Sequence, residues 1–165
     1  MATVYLGETP VNTSGNLPST GSTAPAATLV NVDLSEVSVD QFRGKNLILN
    51  IFPSIDTATC AMSVRKFNEQ AAALPDTIVL CISRDLPFAM KRFCASEGIA
   101  NVMTVSDFRD GAFGNAYGVT LVDGALKGLH ARAVVVVDKA GMVRYTQLVE
   151  KIGDEPDYNA ALQAL

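Results

Sequence analysis

The side chains best able to do covalent chemistry in this chain are three cysteines, Cys60, Cys81 and Cys94, with one histidine, His130. No Cys-x-x-Cys pair occurs and His130 has no histidine partner, so zinc-finger, iron–sulfur and vicinal-dithiol sites lack their ligand spacing. A nucleophile–histidine triad would have to use His130. What remains is the chemistry of separate thiols, in which the thiolate is the reactive form. Cys60 ends the stretch Pro53-Ser54-Ile55-Asp56-Thr57-Ala58-Thr59-Cys60, where an apolar run stops at a proline and helical spacing begins. A cysteine in the first turn of a helix lies near unpaired backbone N–H groups and the positive end of the helix dipole, and both favour thiolate over thiol. With Thr57 as the N-cap, its hydroxyl would reach the N–H of Cys60 and stay close to the sulfur. Cys60 also fits as a small apolar residue at the start of a core helix. Position alone leaves both readings open.

The other candidates divide by context. Cys81 lies between Leu80 and Ile82 in a continuous apolar run, which reads as inert packing with the thiol kept protonated by burial. Cys94 sits beside the apolar stripe of its segment rather than in it, a place where a thiol is partly reachable; packing and a redox role both remain open. Arg132, between two alanines, is either an edge arginine whose stem packs or a fixed cation beside a thiolate. Spacing cannot bring residue 132 next to residue 60.

These residues need elements to hold them. Asn46 to Phe52 (NLILNIF) reads as a buried central strand, and Cys60, Val64, Phe67, Ala71 and Leu74 recur at helical spacing after it. Thr77 to Ser83 is a second buried strand. Asp85-Leu86-Pro87 opens a helix, with the acid and the proline in its first turn and Leu86, Met90 and Phe93 as its packed stripe; Gly98 stops it. Val102 to Val105 reads as a strand, Phe108 to Gly118 as loop and short helix, and Ala131 to Asp138 as the most strand-like run of all. It turns at Asp138–Gly141 and pairs back through Met142 to Val149; Asp157 to Leu165 reads as a terminal helix. Ahead of this, residues 3 to 12 form a small hairpin around Gly7-Glu8, and Asn12 to Ala27 is a surface loop. Short strands follow at Leu29–Val32 and from Glu36, with a turn ending at Gly44. The sum is an α/β chain with a mixed sheet and helices on both faces, the thioredoxin-like arrangement, as a single domain over 1–165 with residues 1–27 as an N-terminal extension.

A chain of 165 residues that is 48% hydrophobic and 18% charged is long and apolar enough to bury a core without disulfide staples. Its net charge of −4 argues against nucleic acid and anionic membrane as partners. No run approaches the roughly 20 apolar residues of a membrane span, and MATVYLGETPV lacks the pattern of a secretory signal, so a cytoplasmic location is expected. An odd number of cysteines in that reducing compartment favours reactive thiols over a structural framework.

Pro53-x-x-x-Thr57-x-x-Cys60 resembles the active-site motif of the peroxiredoxins, and the fuller string PSIDTATC is similar to the thiol peroxidase branch found in bacteria. The likeness extends through SVRKFN, VLCIS, LPFA and RFC, ARAVVVVD and EPDY, nearly the whole chain. It implies a thiol-dependent peroxidase that reduces hydrogen peroxide and organic hydroperoxides, with Cys60 as the peroxidatic thiol and Cys94 as the resolving one. The redox-active bond would then be an intramolecular Cys60–Cys94 disulfide, recycled by thioredoxin. By the same resemblance Thr57 and Arg132 stabilise the reacting oxygens, Pro53 shields the pocket, no metal or organic cofactor takes part, and the protein is a homodimer. Two other readings use the same residues. A general disulfide oxidoreductase is disfavoured by the missing Cys-x-x-Cys; a peroxide sensor that passes its disulfide to a partner protein differs only in turning over once.

Overall fold

The computed structural model describes all 165 residues. The N-terminal hairpin pairs β1 (Thr3–Leu6) with β2 (Thr9–Asn12) antiparallel, and Gly7 takes the positive φ, 63°, that its turn requires. The main sheet comprises β3 (Thr28–Asn31), β4 (Glu36–Ser38), β5 (Asn46–Ile51), β6 (Thr77–Ser83), β7 (Met103–Ser106), β8 (Ala133–Val137) and β9 (Val143–Leu148). Its spatial order is β4-β3-β7-β6-β5-β8-β9, with β5, β6 and β7 parallel to one another and the remaining pairings antiparallel.

Central strands buried on both faces read as continuous apolar runs, and period 2 sorts their side chains between two cores. Leu47, Leu49, Ile51, Leu80, Ile82, Val135 and Val137 share one face with Phe113 and Tyr117 of α3 (Ala112–Tyr117). Ile48, Phe52, Val79, Cys81, Val134 and Val136 share the other with Cys60, Val64 and Phe67 of α1 (Ala58–Ala71), Phe93 of α2 (Pro87–Glu97) and Ala161 of α4 (Tyr158–Gln163). The expected architecture, a mixed sheet with helices on both faces, is therefore present. No helix is long and apolar enough to cross a membrane.

Three local expectations are corrected. Leu86 is the N-cap of α2 and about half exposed, at 51%, so the packed stripe is carried by Pro87, Met90 and Phe93 instead. Asp85 therefore lies before the helix rather than in its first turn, and its carboxylate bonds elsewhere. Arg132 precedes β8 instead of opening it.

Candidate active site

Strand β5 ends at Ile51, and the chain leaves it through Phe52 and Pro53, both buried. Proline has no N–H to continue the ladder, so the strand stops there. Thr57 then takes extended backbone angles (φ −96°, ψ 148°) as the N-cap of α1. Cys60 is the third residue of that helix and is fully buried. The expected bond from the Thr57 hydroxyl to the N–H of Cys60 is absent: Thr57 Oγ1 donates to the Ser54 carbonyl at 3.2 Å, and the cap makes no side-chain bond. Thr57 is thus on the exposed lip of the loop, and the first-turn N–H groups around Cys60 lack a side-chain cap.

The antiparallel register of β5 and β8 sets Ile51 opposite Ala133. Arg132, one residue before, is therefore carried to the end of β5, where the loop to Cys60 departs. Its Nη2 donates to Cys60 Sγ at 3.3 Å, and its Nε donates to the Ile152 carbonyl at 2.8 Å. Only 2% of Arg132 is exposed, and its Nη1 is buried without a partner. A guanidinium held by one nitrogen and bonded to the sulfur by a second puts a charge-assisted donor on Cys60, and leaves a third donor for another oxygen. The support for Arg132 runs back to the N-terminus. Tyr5 exchanges backbone bonds with Glu150 and Ile152, at 2.8 and 2.9 Å, and Thr59 Oγ1 donates to the Gly153 carbonyl at 3.0 Å. The hairpin thus braces the segment that holds both the guanidinium and the first turn of α1.

Cys94 lies in the last turn of α2, whose C-cap Gly98 is left-handed (φ 67°) and whose final N–H groups close on the Cys94 carbonyl. Its thiol is half-buried and 3.6 Å from Thr104 Oγ1 on β7, with burial pushing its pKa up and the Thr104 bond opposing that. All three cysteines are free. Arg65 of α1 bonds Glu97 of α2 through two bonds of 3.0 Å, and Arg92 of α2 bonds Asp56 in the loop before α1 at 3.3 Å. Between them, at the surface, is a groove lined by Ile55, Thr57, Met62, Arg92 and Phe93.

Cys81 is fully buried in β6, where burial pushes its thiol up to about 12 and only the Asn50 amide, at 3.7 Å, opposes the shift. His130 bonds to Asp107 at 2.9 Å, and Asp107 also accepts the N–H groups of Phe113 and Gly114 at 3.1 and 2.9 Å. That buried pair fixes the start of α3; the histidine that a triad would need is committed there. No group of three or more His, Cys, Asp or Glu side chains is placed to hold a metal ion.

Asp85, expected in the first turn of α2, is instead part of the site. It accepts from Ser54 Oγ at 2.8 Å and from the N–H of Ile55 at 2.7 Å, within the loop that leads to Cys60. The sequence carries only an indirect signal: buried strands at 46–52 and 77–83 joined by one helix fit a crossover unit, and loops at the carboxyl ends of neighbouring parallel strands converge.

A profile described as Redoxin matches residues 19–162. Thiol peroxidase from Mycobacterium tuberculosis is 58% identical over 165 residues, spanning 100% of this chain and 99% of the relative, and the thiol peroxidase of Mycobacterium bovis matches to the same extent. Among solved structures, a peroxiredoxin-like protein from Aquifex aeolicus superposes with a TM-score of 0.93 at 41% identity, covering 100% of this chain and 98% of that one. Thiol peroxidase from Chromobacterium violaceum shares the fold, with a TM-score of 0.90 at 21% identity over 98% of this chain and 93% of its own.

Proposed function

Because the chain belongs to the Redoxin family, and within it to the thiol peroxidases, it is a thiol-dependent peroxidase, and we propose that Cys60 is its attacking thiol and Cys94 its resolving one. The observation that carries this assignment is the 3.3 Å bond from the buried Arg132 guanidinium to Cys60 Sγ in the first turn of α1. Neither Cys81 nor Cys94 has a cation at its sulfur.

In the first step the Cys60 thiolate attacks the terminal oxygen of a hydroperoxide. An S–O bond forms, the O–O bond breaks, and the alkoxide or hydroxide that leaves takes up one proton to become alcohol or water. The sulfur is oxidised by two electrons to a sulfenic acid and the peroxide is reduced by the same two. Negative charge moves from sulfur onto the leaving oxygen, so donors fixed in a dry pocket stabilise the transition state most. Arg132 supplies them, Nη2 at the sulfur and the unpartnered Nη1 beside it. Thr57, whose hydroxyl proton is engaged by Ser54, offers its oxygen lone pairs at the lip, and Pro53 closes the pocket from beneath. In the second step the Cys94 thiol gives up its proton and its sulfur attacks the Cys60 sulfur; the S–S bond forms, the S–O bond breaks, and the departing hydroxide takes up that proton as water, leaving an intramolecular disulfide. Thioredoxin then reduces that bond by thiol–disulfide exchange. Hydrogen peroxide and alkyl or lipid hydroperoxides are the proposed substrates, and a homodimer in the cytoplasm is the proposed working form.

The test is peroxide consumption coupled to thioredoxin and its reductase. Wild type is expected to turn over many times per molecule, which also separates an enzyme from a single-use sensor. Cys60→Ser is expected to show no turnover, because a serine hydroxyl stays protonated near neutral pH and forms no sulfenic acid. Activity above a few per cent in that variant refutes the assignment.

A further inference from the structure

The chemistry proposed for Cys60 requires its sulfur to be held in one place against Arg132. Arg132 is fixed from the β8 side, through Ile152, and the adjoining Gly153 holds Thr59 in the first turn of α1, but neither reaches the 54–55 turn that leads to Cys60. Residues 53–57 have no strand ladder of their own; apart from the exposed Arg92–Asp56 pair, their side-chain ties to the rest of the fold go to one carboxylate on the neighbouring loop. Asp85 Oδ1 accepts from Ser54 Oγ at 2.8 Å, and its Oδ2 accepts from the Ile55 N–H at 2.7 Å and from Ser83 Oγ at 2.6 Å. Asp85 is fixed in its turn: its N–H donates to Ser83 Oγ at 3.2 Å, and its carbonyl accepts from Ser106 Oγ at the end of β7. Three donors converge on two oxygens, an arrangement a carboxylate can satisfy in full.

We infer that Asp85 is a positioning residue for the attack of Cys60 on peroxide, holding the 54–55 turn, and through it the first turn of α1, to the ends of β6 and β7. It does not touch the sulfur. The inference rests on Cys60 being the attacking thiol. Asp85 also immediately precedes Leu86, the N-cap of α2, so the root of the Cys94 helix and the Cys60 loop share one anchor.

A displacement on the order of 1 Å at reacting atoms costs as much as about a hundredfold in rate. The experiment measures the second-order rate constant of fully reduced protein with hydrogen peroxide by stopped flow, and alkylation of Cys60 by iodoacetamide in parallel. Alkylation needs an accessible thiolate but no alignment of an O–O bond with fixed donors. Asp85→Ala is expected to lower the peroxide rate at least tenfold while alkylation holds or rises. Asp85→Asn keeps an oxygen for the Ile55 N–H and an amide for the Ser54 hydroxyl, and is expected to stay within about threefold of wild type. Ser54→Ala removes one tether without emptying the corner, and carries the test if Asp85→Ala does not fold. It is expected to lose part of the rate alone and to add nothing on the Asp85→Ala background, as two ends of one interaction do. A peroxide rate within twofold of wild type in Asp85→Ala overturns the inference. So does an Asp85→Asn rate as low as that of Asp85→Ala, which would assign the effect to charge instead of held geometry. Should wild type fail to react, or Cys60→Ser still react, the Cys60 assignment falls first and this inference with it.

Discussion

At the scale of the residue, three identical thiols are made different by what stands within 4 Å of each. Cys60 has a guanidinium at 3.3 Å, Cys94 a hydroxyl at 3.6 Å, and Cys81 an amide at 3.7 Å in an otherwise apolar shell. Only the first of these is a charge-assisted donor, which in a dry site is stronger than a neutral one. Arg132→Met keeps the bulk of the side chain and removes the cation, its donor to Cys60, the unpartnered Nη1 and the bond to Ile152. The rate of peroxide attack on reduced protein is expected to fall about a hundredfold, the order lost when one fixed donor to a developing oxyanion is deleted. Stopped-flow measurement checks this, and a rate within twofold of wild type would leave Arg132 only the task of holding the Ile152 segment.

Between residues and the whole stands a pair of helices that have to come apart at one end. Cys60 is in the first turn of α1 with its sulfur against Arg132, and Cys94 is in the last turn of α2 with its sulfur against Thr104 on β7. A disulfide needs the two Cβ atoms within roughly 4.5 Å, so each sulfur must leave the partner it has in the reduced fold. The clamps at this face are exposed or partly exposed ion pairs, Arg65–Glu97 between the helices and Arg92–Asp56 at the loop before α1, a class that contributes little to stability because solvent screens it. Local opening at these ends is therefore inexpensive compared with unfolding the sheet. After peroxide treatment, peptide mapping under non-reducing conditions is expected to find Cys60 bonded to Cys94 of the same chain, with weaker amide protection at both helix ends. Cys94→Ser is expected to consume one equivalent of peroxide, stall as the sulfenic acid, and over-oxidise when more is added. A Cys60–Cys81 bond, or one joining two chains, would refute this cycle while leaving Cys60 as the attacking thiol.

For the molecule as a whole, sequence periodicity reached the elements and stopped at their adjacency. The apolar run 46–52 and the valine run 133–137 each declare a buried strand, but neither string says that β8 inserts beside β5, antiparallel. That pairing creates the Arg132–Cys60 contact, so before the fold was known the role of Arg132 rested on family likeness alone. Asp85 was misread for a related reason: two residues before a proline it looks like a first-turn acid, and only the convergence of two parallel strand ends reveals the Ser54 loop it holds. The burial of Cys81, by contrast, was legible, because a cysteine within TIVLCIS in a central strand has nowhere to go but the core. That burial has a consequence for global stability. The thiol is pushed up to about 12 in the native chain, against roughly 8.5 in the unfolded one. Between those values the unfolded chain gives up a proton that the native chain keeps. Native protein then binds more protons than unfolded, so stability is fully present below about pH 8.5 and falls as pH rises, by at most about 1.4 kcal/mol per pH unit for this one group. The phenols of Tyr117 and Tyr158, also raised by burial, act with the same sign above about pH 10 and are common to wild type and variant. Cys81→Ser removes the titrating thiol. It is expected to keep peroxidase turnover near neutral pH, to lose on the order of 1–3 kcal/mol there from burying a hydroxyl, and to show a shallower decline of unfolding free energy between pH 9 and about 11. Denaturant unfolding under reducing conditions measures this. Curves for wild type and variant that run parallel would show that the native fold does not hold the Cys81 proton, and loss of turnover in a folded variant would show that Cys81 does more than pack.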